Sequence, residues 1–253
     1  IAPQLWAWNE KRIKKIKKYI DSLYVILPFE KEFFETKHKY PVKFLGHPLL
    51  DSISNFKKNY DSSSEQIITN KKAVIAILPG SRKQEIKKIL NTVIKIVDYF
   101  PDHQFIVAGA PNIELSYYKS ILKNKRIKVI ENKTYEILSI STAAIVTSGT
   151  ATLETALFKV PQVVCYKSSY FSYFIAKLIV NIKYISLVNL IMDQQIVKEL
   201  IQQDCNKDKI RNELEKILDL NNKKSLQIKY DELTSILGNN GTSKRVALDI
   251  IKK

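Results

Sequence analysis

Two short stretches carry the residue types best suited to chemistry. The first, LPGSRKQEI at 78–86, ends an apolar run at Pro79-Gly80 and then offers a hydroxyl, Ser81, and a guanidinium, Arg82. Gly80 lets the backbone approach a ligand with no Cβ in the way. Ser81, with Gln84 three residues on, fits a capping box and predicts a helix start there. Such a start presents unpaired N–H groups and a positive dipole end, and Arg82 adds a fork matched to phosphate oxygens. Gly80, Ser81 and Arg82 are therefore expected to hold a phosphate. A capped turn with a solvated arginine explains the same letters without a ligand. The GxxxxGK pattern of a P-loop is absent.

The second stretch, AAIVTSGTATLETALF at 143–158, again reads strand, glycine corner, helix. Ser148, Gly149 and Thr150 supply donors and backbone access. Glu154 lies about one turn into the helix, where a carboxylate can accept hydrogen bonds from a ribose diol. A glutamate merely favoured near the helix dipole is the plainer account. Two anion-ready corners on one sheet rim point to a diphosphate joined to a sugar, and so to a nucleotide diphosphate.

Such corners need a sheet to hold them. Short apolar runs recur at 73–78, 104–109, 127–130, 143–147 and 162–165, with helical patterns between them. Apolar character on both faces with intervening helices predicts a parallel sheet in a doubly wound α/β domain. In 83–97, Ile86, Ile89, Leu90, Val93, Ile94 and Val97 recur at helical spacing. Shorter helical patterns fall at about 113–124, 134–140 and 150–158. Residues 1–51 read as a separate α/β piece, with a helix at 9–20 turning Ile13, Ile16 and Ile20 inward and strands at 23–27 and 42–46. The polar, Ser-rich stretch 56–70 predicts a linker. Beyond about 193 the chain reads as helical to its end. The expected division is therefore 1–60, 61–170 and 171–253.

The 253 residues are 45% hydrophobic and 26% charged, an ordinary globular composition that argues against disorder. Lys and Arg number 41 against 25 Asp and Glu, a formal net charge of +16 that favours anionic partners. An AT-rich coding bias accounts for part of it, since Lys, Ile and Asn are all frequent. Lys11, Arg12, Lys14, Lys15, Lys17 and Lys18 line one helix, either as a solvated face or as a contact for anionic lipid. Cys165 and Cys205 show no CxxC spacing, and neither a disulfide framework nor a metal site is expected. A reducing compartment fits. No run of about 18 uncharged apolar residues occurs. The most apolar stretch, 170–192, is broken by Lys177 and Lys183 and reads as a buried helix and strand or a bilayer-surface segment. The chain opens on Ile1 without a signal-peptide pattern, and is expected to continue a longer protein upstream.

Six blocks in order, PQLWAWNEKRIKKIKKYID (3–21), ILPFEKEFFE (26–35), FLGHPLLD (44–51), LPGSRKQEI (78–86), SGTATLETAL (148–157) and NLIMDQQIVKELIQQDC (189–205), closely resemble lipid-A-disaccharide synthase. The likeness covers nearly the whole chain and loosens after about 215. It implies a GT-B glycosyltransferase fold, with a donor domain, the end of a truncated first Rossmann-like domain and a helical C-terminal region. It also implies a metal-independent, inverting transfer without cofactor. The donor would be UDP-2,3-diacylglucosamine and the acceptor 2,3-diacylglucosamine 1-phosphate. The setting would be cytoplasmic, peripheral on the inner membrane of a Gram-negative bacterium. A homo-oligomer is open. The resemblance puts Gly80, Ser81, Arg82, Ser148, Gly149 and Thr150 near the donor diphosphate and Glu154 on the ribose. Asn189 matches a family asparagine close to the phosphates, although Val188 stands where the family has proline. His47, ending the strand VKFLG, is expected at the cleft as a hinge device or a ligand contact. The proposed general base falls upstream of Ile1, so no catalytic residue is expected in this chain and no turnover from it alone. Other GT-B UDP-sugar enzymes, of the UDP-N-acetylglucosamine 2-epimerase or peptidoglycan N-acetylglucosaminyltransferase type, share the glycine corners but not the WAWNEKRIKKI and LPFE blocks. A basic nucleic-acid-binding module fits the charge alone, since no aromatic interleaving or RNA-binding motif accompanies it.

Overall fold

The computed structural model describes residues 1–60, 72–123, 126–167 and 183–252. Most of the expected linker and the apolar stretch 170–182 lie outside the described residues. Two compact units emerge: one from 1–59 with 231–252, the other from 60–167 with 184–230. The segment expected as a separate C-terminal region, 171–253, thus contributes to both.

In the first unit, α1 (Leu5–Trp8) and a 3-10 turn (Glu10–Arg12) lead into α2 (Ile13–Tyr19). Ile13 and Ile16 are buried as expected, whereas Ile20 falls just past the helix end and is 42% exposed. A two-stranded parallel sheet follows, β1 (Tyr24–Val25) with β2 (Lys43–Phe44), separated by α3 (Pro28–Glu32). The buried Glu30 carboxylate accepts the N–H groups of Ile26 and Leu27 and the indole N–H of Trp6. Burial pushes its pKa up even so, with those donors opposing the shift. Next comes α4 (Pro48–Asn59).

The second unit is built on β3 (Ala73–Leu78), β4 (His103–Gly109), β5 (Ile127–Glu131), β6 (Ser141–Thr147), β7 (Gln162–Tyr166) and β8 (Lys198–Ile201). All pairs are parallel, in the order β5-β4-β3-β6-β7-β8. Chain order therefore reverses between β3 and β6, the switch point at which ligands of doubly wound sheets bind. Alternate residues divide between two cores. Ile75, Ile77, Phe105, Val107 and Ile145 pack against α5 (Lys83–Val93) on one face. Val74, Ala76, Ile106, Ala144 and Val146 pack against α7 (Thr134–Ser139) on the other; α6 (Leu115–Ile121) precedes it in the chain. After β6 come α8 (Thr150–Leu157) and α9 (Leu187–Met192). The chain ends in α10 (Lys207–Leu218), α11 (Leu220–Leu237) and α12 (Thr242–Ile251).

Two expectations are corrected. The region beyond 193 is not wholly helical, because β8 forms the sheet edge. At the sheet edge β8 buries only Leu200, leaving Lys198 exposed and Glu199 half-buried, so no apolar run marked it. Helix α5 also stops at Val93 rather than 97, and a turn then carries Val97 into a 3-10 segment where it stays buried.

Candidate functional site

A cavity of about 390 Å³ opens at the carboxyl ends of β3, β4 and β6, wholly within the second unit. Gly80, Ser81, Ser148, Gly149, Thr150 and Glu154 all line it. The two corners converge because β3 and β6 are neighbours in register, Leu78 lying opposite Val146.

Each corner depends on its glycine. Gly80 has φ +98°, and a Cβ there would stand 2.8 Å from Glu85 Oε2 and 3.4 Å from Thr147 Cγ2. Gly149 has φ +151° and caps α8, and a Cβ there would meet nothing within 4 Å. That open space adjoins the backbone N–H groups that start α8, so an anion can approach them closely.

The capping box at Ser81 does not form. The cap position of α5 is Arg82, with φ −111° and ψ 134°, and no side chain caps the helix. The turn is held from a third strand end instead: Asn112 Nδ2 donates to the Ser81 carbonyl at 3.2 Å, and the Tyr117 hydroxyl donates to the Lys83 carbonyl. Without a side-chain cap, the first-turn N–H donors of α5 meet no competing acceptor from the cap residue. Arg82 is not part of the cavity lining. Its guanidinium pairs with Glu85 at 3.2 Å, and its side chain is 82% exposed.

Glu154 lies about one turn into α8 and lines the cavity. The Tyr135 hydroxyl donates to its Oε1 at 3.1 Å, fixing one oxygen. Burial raises the Glu154 pKa, and the Tyr135 hydrogen bond opposes that shift. Burial, reinforced by the neighbouring Glu154 charge, raises the Tyr135 pKa, so the phenol stays a donor.

Asn189 and His47 are placed differently from the other candidates. Asn189 is fully buried, and its side chain donates to Val197 O and Glu199 Oε1 while accepting from the N–H groups of Ile196 and Val197. Its amide has no capacity left for a ligand. Glu199 in turn accepts from the N–H groups of Ile185 and Ser186, and the Ser148 hydroxyl donates to the Ile185 carbonyl at 2.7 Å. Asn189 thus stiffens the segment that steadies the Ser148 corner. His47 belongs to the first unit, where its Nδ1 accepts the Leu49 N–H at 3.1 Å and so caps α4. Burial lowers its pKa to about 4, which keeps the ring neutral and able to accept.

Sequence reasoning missed four lining features: Gly109 to Pro111, Thr134, Thr147 and Glu85. The AGAP stretch (108–111), which closes β4 and leads out of it, was a third strand-end glycine signal. Thr147 left no such signal, being one hydroxyl at the end of an apolar strand.

Comparison with known proteins adds the following. The family model described as lipid-A-disaccharide synthetase matches residues 1–248. The lipid-A-disaccharide synthase of Persephonella marina is 36% identical over 268 residues, covering 100% of this chain and 70% of that protein. That of Coxiella burnetii is 34% identical, covering 98% of this chain and 66% of that protein. The chain thus spans about two thirds of the length of these relatives. Among solved structures, the UDP-GlcNAc 2-epimerase from Neisseria meningitidis bound to UDP-GlcNAc superposes with TM-score 0.62 at 14% identity, covering 99% of this chain and 66% of that one. The calicheamicin glycosyltransferase CalG4 gives 0.57 at 14% identity, covering 95% and 55%. At such identity the likeness shows the fold, which is of the GT-B type.

Proposed function

Because the chain belongs to the lipid-A-disaccharide synthetase family, a glycosyltransferase family, we propose that its second unit holds the UDP portion of a UDP-sugar donor. The proposed donor is UDP-2,3-diacylglucosamine and the proposed acceptor 2,3-diacylglucosamine 1-phosphate, with UDP released as the β-1,6-linked disaccharide forms. The observation that carries this reading is the single cavity uniting both glycine corners with Glu154 at the sheet's switch point.

In this proposal the diphosphate lies across the Gly80-Ser81 and Gly149-Thr150 corners, met by backbone N–H groups and the starts of α5 and α8. As the sugar departs, negative charge grows on the leaving diphosphate, and fixed dipoles aimed there favour the transition state. Glu154 accepts from the ribose diol, with Tyr135 holding its other oxygen. Arg82 reaches the phosphates by leaving Glu85, while Asn189 acts at one remove through Ile185. Isothermal titration of the 253-residue chain with UDP, UMP and uridine should give affinities falling in that order. UDP binding no tighter than uridine would overturn the placement of the diphosphate. With the chain extended by the upstream part that the resemblance implies, product analysis with acylated and unacylated acceptors separates this transfer from epimerase chemistry, which shares only the fold.

No helix among the described residues is long and apolar enough to cross a membrane. A peripheral location on the inner membrane, facing the cytoplasm, follows as part of the proposal and rests on α2. Lys14, Lys15, Lys17 and Lys18 are all exposed, and Tyr19 and Ile20 beside them are 67% and 42% exposed. Each lysine near an anionic surface contributes about 1 kcal/mol. Lys14→Glu with Lys18→Glu should therefore reduce binding to phosphatidylglycerol vesicles at least about tenfold in flotation at low salt. High salt should abolish the difference. Equal flotation of both proteins at low salt would remove α2 as the contact.

A further inference from the structure

Of the seven Ser and Thr residues from 141 to 155, five donate to a backbone carbonyl, Ser141 to Ile137, Thr142 to Val74, Ser148 to Ile185, Thr152 to Gly149 and Thr155 to Ala151, and Thr150 is exposed to solvent. Thr147 breaks the pattern. It is 6% exposed, its Oγ1 is buried without a hydrogen-bond partner, and the residue lines the cavity. A hydroxyl left in this state is costly, and a cavity ligand carrying an acceptor relieves the cost.

Position names the acceptor. Thr147 is the last residue of β6, its Cγ2 lies 3.4 Å from where a Gly80 Cβ would stand, and Gly149 follows two residues on. It therefore sits between the two corners rather than beside Glu154. Among the described residues the cavity lining contains two carboxylates, Glu85 and Glu154, and no Lys, Arg or His side chain, so neutral donors in the lining must meet an anion beside an Arg82 that reaches in from outside it. We infer that the Thr147 hydroxyl donates to a phosphate oxygen of the bound nucleoside diphosphate and helps the site select diphosphates over nucleosides. This deepens the UDP-binding reading and rests on it.

The test compares the wild-type chain with Thr147→Val and Thr147→Ser, by isothermal titration with UDP and with uridine and by thermal melts without ligand. Valine keeps the shape and removes the unpartnered hydroxyl, so the unliganded melting temperature should hold or rise. UDP affinity should fall about 3- to 10-fold in Thr147→Val, remain in Thr147→Ser, and uridine affinity should not change. Wild-type UDP affinity in a folded Thr147→Val protein would overturn the inference, the hydroxyl then being served by water alone. An equal loss for uridine would also overturn it, by moving the contact to the nucleoside. A folded wild-type chain with no measurable UDP binding would instead sink the nucleotide reading itself.

Discussion

Glu154→Gln should weaken UDP binding roughly 10- to 100-fold while leaving the unliganded protein as stable as before, or more so. The loss follows from the chemistry of the clasp. A ribose diol donates to a carboxylate through charge-assisted hydrogen bonds, each worth about 1.5–3 kcal/mol. A glutamine keeps one acceptor oxygen, which Tyr135 occupies, and turns its NH₂ group, a donor, toward the diol. The stability sign comes from the pKa. Burial raises the Glu154 pKa above its unfolded value, with Tyr135 only partly opposing. Between the unfolded and folded pKa the native protein holds a proton that the unfolded chain has lost. Stability from this group is therefore full below the unfolded pKa and declines as pH rises through the folded pKa. At neutral pH the ionised carboxylate is a net cost, which glutamine removes while still accepting from Tyr135. UDP affinity of the wild type should run the opposite way, strengthening as pH rises through the Glu154 pKa. Titrations and melts across pH 4–8 measure both trends. Parallel loss of UDP affinity and melting temperature in Glu154→Gln would mean that Glu154 is a structural residue.

The legible parts of the molecule share a physical cause. Central strands are apolar on both faces, so β3, β4, β6 and β7 announced themselves as unbroken runs; of the two edge strands, β5 kept three apolar residues around Lys128 and was legible, whereas β8 opens on Lys198 and Glu199 and was not. Both corners were legible because a glycine directly after a buried run has few other uses, and positive φ at Gly80 and Gly149 bears this out. Local pattern failed where two residues competed for one role. Ser81 matched a capping motif, yet the helix begins one residue later, at a position the extended backbone of Arg82 reaches without a side-chain cap. Family likeness implied that Asn189 lies near the donor phosphates but could not reveal that Ile196, Val197 and Glu199 use up its amide. Burial likewise decided His47, since a ring with its pKa near 4 caps a helix as a neutral acceptor.

Gly80→Ala should destabilise the protein by about 1–2 kcal/mol, the cost of a left-handed backbone for an L side chain, or roughly 2–8 °C in Tm. A second contribution comes from contact, because the new Cβ would lie 2.8 Å from Glu85 Oε2. That oxygen is the end of a flexible side chain and can withdraw, but its withdrawal disturbs the pairing with Arg82. Gly149→Ala separates the two effects. Its φ of +151° with ψ of −162° belongs to a region essentially reserved for glycine, yet its Cβ would enter open space. Its stability loss should therefore be purely conformational, while the methyl group occupies the approach to the start of α8. Adding Glu85→Ala should recover part of the Gly80→Ala loss and none of the Gly149→Ala loss, a coupling that a double-mutant cycle of melting curves reads directly. UDP affinity should fall at least about tenfold in both glycine variants and should not return in Gly80→Ala with Glu85→Ala, since the strained corner still misdirects its N–H groups. Should the double variant regain both stability and UDP binding, side-chain crowding rather than backbone conformation would be what the Gly80 corner requires.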